Sequence, residues 1–171
     1  MVWSKRKTKK GSINPFKSGL NFGLTSAVIT TLGLMIGLLA GTGSKLAVLG
    51  GILTIAIADA FSDALGMHIS EESKDGDKQK EIWQTTIATL ASKFLFAITF
   101  ILPVILVDIK SAVIINCLWG VFLLTIISLM IAKSQKRKPL GIIAEHLFIA
   151  SIVIVVSYFA GVLINRLFSE T

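Results

Sequence analysis

The chain has 171 residues, of which 53% are hydrophobic and only 16% charged, with a formal net charge of +7 and a mean hydropathy of +0.78. Soluble domains are typically about 45–50% apolar and roughly 25% charged, so this composition excludes an ordinary water-soluble domain and points to a bilayer as the solvent. A single cysteine, Cys117, excludes an intrachain disulfide or a cysteine metal cluster and is read as a packing residue.

Residues 1–19 form a basic tail with Lys5, Arg6, Lys7, Lys9, Lys10 and Lys17, accompanied by Trp3 and Phe16. Basic residues beside membrane spans fit anionic lipid head groups, so the positive charge is assigned to the bilayer surface rather than to nucleic acid. Apolar runs follow at about 20–40, 45–67, 82–107, 111–132 and 141–168, each near or above the roughly 20 residues that a spanning helix needs. The predicted fold is therefore all-α and polytopic, with five transmembrane helices in one membrane domain over 20–168. The first run starts behind a polar segment and has four successors, which argues against a cleaved signal peptide.

The first span carries Gly33, Gly37 and Gly41 at four-residue intervals, a groove for close approach of another backbone, within the chain or across a dimer axis. The second span contains the most informative residues. Asp59 and Asp63 lie a helical turn apart on one face, and Met67 continues that face. An aspartate at the centre of a spanning helix costs about 2.5–3.5 kcal/mol on insertion scales, so it faces a protein-lined or watery interior and handles ions or protons. The connection 68–81 continues with His68, Glu71, Glu72, Asp75, Asp77 and Glu81. Glu71, Glu72 and His68 are candidate entry or proton-coupling groups, with a solvated helix end as the other reading. Asp75 and Asp77 are read as solvated.

Lys93 is the basic residue deep in the third span and competes with any ion for the aspartates, as a structural counter-charge. Pro103 is expected to kink the same span. Glu145 and His146 open the fifth span, where they can reach the interface by snorkelling, and Glu145 is retained as a further coupling candidate. Lys74, Lys78, Lys80, Lys133, Lys136, Arg137 and Lys138 fall on the same side as the basic tail, against Lys45, Lys110 and Arg166 on the other. The positive-inside rule then places the N-terminus in the cytoplasm and the C-terminus on the opposite side.

Three segments resemble the vacuolar iron transporter family of ferrous iron and manganese exporters. Gly23-Leu24-Thr25-Ser26-Ala27-Val28-Ile29-Thr30-Thr31-Leu32-Gly33 is similar to the family's Gly-x-Asn-Asp-Gly-(Ile/Leu)-Val-Thr-Thr-Phe, and Ser62-Asp63-Ala64-Leu65-Gly66-Met67-His68-Ile69-Ser70 to its Ser-Met-x-x-Gly-Glu-Tyr-(Leu/Ile)-Ser. Ser157-Tyr158-Phe159-Ala160-Gly161 is similar to its Thr-Tyr-x-x-Gly. In this chain Ser26 stands where the family has its transport aspartate, Asp63 where it has methionine, and Met67 where it has glutamate. The long metal-collecting helices that the family carries between the second and third spans are absent, which marks a divergent branch.

The resemblance implies a homodimeric transporter of iron(II) or manganese(II), exchanging metal for protons and moving it out of the cytoplasm, with the pathway between the first two helices at a two-fold axis. Asp59, Asp63, Met67 and Ser26 are the expected metal ligands, the metal being cargo, with no cofactor. Carboxylates and a thioether together disfavour magnesium and calcium. A non-transporting scaffold with a buried Asp–Lys network is the alternative. An enzyme is not expected: Asp59-x-x-x-Asp63 matches half of a head-group transferase motif, whose upstream Asp-Gly-x-x-Ala-Arg element is missing.

Overall fold

The computed structural model describes residues 14–74 and 76–168, and these form helices and short connections, without a strand. Most of the basic tail and Asp75 lie outside the described residues. Among the described residues, five helices are long and apolar enough to cross a membrane: α1 (Pro15–Thr42), α2 (Lys45–Glu72), α3 (Gln79–Leu106), α4 (Ile109–Gln135) and α5 (Pro139–Phe168). They fit a multi-pass integral membrane protein. Each of α1 to α4 extends beyond its hydrophobic run because polar residues extend its ends; α2 thereby takes up His68, Glu71 and Glu72 as its last turns.

Local chemistry sets the boundaries. Pro15 opens α1 behind Asn14, whose side chain accepts a hydrogen bond from the Phe16 N–H at 3.0 Å. Gly43 ends α1 at φ 62°, the left-handed conformation that glycine adopts without a Cβ penalty, and its N–H returns to the Leu39 carbonyl. Ser44 caps α2 by accepting from the Ala47 N–H at 3.2 Å. Asp108 caps α4 by accepting from the Ser111 N–H at 3.0 Å, and the hydroxyl and backbone N–H of Ser111 hold its carboxyl below the usual aspartate range.

Two helices depart from regular α geometry. In α3 the helix is interrupted at Phe100, three residues before Pro103. Proline lacks the N–H that would bond the Thr99 carbonyl, and its ring crowds that group, so the regular helix is interrupted there. Asn116 of α4 donates to the Phe100 carbonyl at 3.0 Å and closes the interruption from outside. In α2, residues Ile55–Asp59 form one π-helical turn, and the chain continues as α-helix from Ala60. Sequence periodicity alone did not reveal this turn.

The central helix is α1, which packs against α2, α3, α4 and α5. It carries two small-residue faces. Gly19 and Gly23 meet Thr85, Ala88, Thr89 and Ser92 of α3, while Gly33, Gly37 and Gly41 meet Val153, Ser157 and Gly161 of α5. The glycine groove predicted for the first span is thus filled within the chain. The apolar core gathers Leu24, Val28, Leu32, Met35, Val48, Ile52, Phe100, Val104 and Ile127. Outward-facing side chains are also large and apolar, among them Leu102, Ile105, Leu118, Val156 and Phe159, as a hydrocarbon solvent permits.

Candidate functional site

Lys93 lies halfway along α3 and its side chain is completely buried. The ammonium Nζ lies 2.5 Å from Asp59 Oδ2 and forms a second ion pair with Asp63 Oδ2. It also donates to Ser26 Oγ of α1 at 2.9 Å, and Ser26 donates to Asp63 Oδ2 at 2.6 Å. Three spans are joined by this network. An ammonium has three N–H donors and no acceptor; it donates to Ser26 and Asp63 and is held by Asp59 as an ion pair.

The backbone makes this convergence sterically feasible. At Gly23, one turn before Ser26, a Cβ would collide with Ser92 Oγ and lie 2.6 Å from the Thr89 carbonyl oxygen. Glycine lets α1 and α3 approach at the level where Lys93 must reach Ser26. On α2, the π-turn ends at Asp59 and adds a residue to the local repeat, which rotates the helix ahead of Asp59 relative to the segment carrying Asp63. Thr30 donates to the Ser26 carbonyl at 2.8 Å, closing its own hydroxyl onto α1.

The carboxylates are less enclosed than the lysine. The Asp59 side chain is 36% exposed and that of Asp63 is 20% exposed. Asp59 lies at the edge of a shallow notch with Thr54, Ile55, Ala58 and Ser62. Gly50, Thr54, Ala58, Ser62 and Gly66 recur every four residues on the exposed side of α2, and a Cβ on Gly50 or Gly66 would meet nothing within 4 Å. A small-residue stripe bordered by the aspartates therefore runs along the outer face of α2, beside the exposed Ile57, Phe61 and Leu65.

Of the sequence-predicted site residues, Ser26, Asp59 and Asp63 come together, with Lys93 between them. Met67 is half-buried on the following turn of α2 and takes no part in the hydrogen-bonded network. His68 pairs with Thr86 Oγ1 through Nδ1 at 2.9 Å and sets its ring edge-on to Trp83 at 4.9 Å, an interhelical anchor between α2 and α3. Glu71 is bound by Lys74 at 2.7 Å. Glu72 and Glu145 are exposed, and His146 pairs with Ser128 Oγ at 2.7 Å. Among the described residues, no three His, Cys, Asp or Glu side chains form a metal-ligand group. One chain supplies two carboxylates, a hydroxyl and a competing ammonium.

Sequence reasoning missed the Asn116 contacts. Its amide donates to Phe100 O and also to Met35 Sδ at 3.3 Å, while its Oδ1 is buried without a partner. A lone asparagine in an apolar span was the available signal.

No family model matches the chain, and no curated protein or solved structure matches it.

Proposed function

We propose that the protein transports a divalent transition-metal cation, iron(II) or manganese(II), in exchange for protons, and works as a two-fold homodimer. The observation that carries this reading is the mid-span network of Asp59, Asp63 and Ser26 around Lys93. Its carboxylates border an exposed stripe of small residues on α2. Partly exposed aspartates facing hydrocarbon are costly, and a second α2 laid along Gly50, Thr54, Ala58, Ser62 and Gly66 would cover them. The two sets of carboxylates would then face one another across the axis.

In this account metal and protons compete for the same carboxylate oxygens, which is the basis of exchange. Met67, one turn beyond Asp63, adds a thioether beside the path and biases it toward iron and manganese over harder cations. Glu71, Glu72, His68 and Glu145 lie toward the end of the bundle assigned to the cytoplasm and serve as collecting groups. The segments similar to the vacuolar iron transporters support the same cargo and the same outward direction from the cytoplasm. Anionic lipid binds the basic tail.

The test is flux in liposomes holding the purified protein, comparing iron(II), manganese(II), cobalt(II), zinc(II) and calcium(II) with and without a pH gradient. Proton-driven movement of iron or manganese is expected. A second reading, a non-transporting scaffold, draws on the full burial of Lys93 and its closure by three oxygens. Absence of flux for every cation, in protein shown to be folded, would favour it.

A further inference from the structure

We infer that Lys93 is a fixed counter-charge that sets the amount of cargo: it leaves each chain a single negative charge, so that one divalent cation is held per pair of chains. This rests on the transport reading above and deepens it. Asp59 and Asp63 contribute two negative charges and Lys93 one positive charge, all within direct contact. In a bilayer interior a residual charge is costly, so occupancy follows neutrality. One chain with a residual charge of minus one cannot be neutralised by a divalent ion, whereas two chains facing each other can be neutralised by one.

The geometry of the contacts agrees with the charge count. Lys93 engages Oδ2 of both aspartates, and Ser26 also binds Asp63 through Oδ2. Among the described residues no hydrogen bond reaches Oδ1 of Asp59 or Oδ1 of Asp63. Each chain therefore offers two carboxylate oxygens without a hydrogen bond, and a facing pair would offer four. Completed by water, four carboxylate oxygens make an oxygen shell that suits manganese. The lysine stays paired with Oδ2 of each carboxylate and is not itself displaced.

The experiment is equilibrium dialysis of detergent-purified protein against manganese(II), with bound metal read by elemental analysis. Wild type is expected to hold about 0.5 manganese per chain, and Lys93→Met, with two uncompensated carboxylates, about 1 per chain. Lys93→Arg keeps the charge and should stay at about 0.5. Asp59→Asn, neutral with Lys93 in place, should bind none, and Lys93→Met combined with Asp59→Asn should return to about 0.5.

If Lys93→Met fails to fold, Asp59→Asn measured against wild type carries the test alone. Manganese at about 0.5 per chain in Lys93→Met, or undiminished in Asp59→Asn, would overturn the inference while leaving transport standing. Wild type that binds neither manganese(II) nor iron(II) would overturn both.

Discussion

Lys93 connects the residue chemistry to everything larger. Burying an ammonium in a span is tolerable only with partners, and Asp59, Asp63 and Ser26 supply them. Ser26→Ala removes a hydroxyl that both accepts from Lys93 and donates to Asp63, so it should lower stability by about 1.5–3 kcal/mol, the range for bonds to charged groups. Thermal unfolding in detergent reads this directly, and an unchanged midpoint would remove Ser26 from the network. Met67→Leu keeps side-chain volume but loses the sulfur, so the proposed transporter should shift its preference away from iron and cobalt toward harder cations. A competition series at fixed pH gradient checks it; an identical order in the variant would make Met67 a packing residue.

At the scale of elements, α1 is a helix with two tightly committed faces. Adding a Cβ at Gly161 would run into Gly37 O, and it would approach Gly41 N at 3.0 Å. Gly23→Leu and Gly37→Leu should each destabilise the fold by about 1–3 kcal/mol or more, because backbone as well as side chains would have to move. Gly23→Leu should also abolish manganese binding, since it forces α3 away at the level of Lys93; Gly37→Leu acts on α5 and should spare the site once folded. Equal loss of binding in both would contradict the separation of the two faces. Span number and a break of the helix near Pro103 were legible because hydrophobic length and a missing N–H are local properties. The π-turn at Ile55–Asp59 was not, since Ile-Ala-Ile-Ala-Asp has no composition that distinguishes it from α-helix. The glycine groove was visible in sequence, whereas its partner, α5, emerged only when the helices were packed.

The whole molecule is a bundle built around α1, with a charged network at mid-span and an open small-residue face beside it. Asp59, Asp63 and Lys93 stood out in the sequence as intramembrane charges, but their joint ion pairing depends on α2 packing against α3, and the added bond to Ser26 on α1 and α3 closing at Gly23. Ser62→Cys in a background with Cys117→Ser should cross-link two chains if α2 faces its copy. A monomer with full transport activity and no cross-link would place the pathway within one chain. The most direct test of the central claim is manganese uptake into liposomes under a pH gradient by wild type and Asp63→Asn, each first shown to be folded. The account predicts that the wild type drives uptake and that Asp63→Asn, which keeps the volume but loses the charge, falls to the level of protein-free liposomes. Undiminished uptake by Asp63→Asn would contradict it.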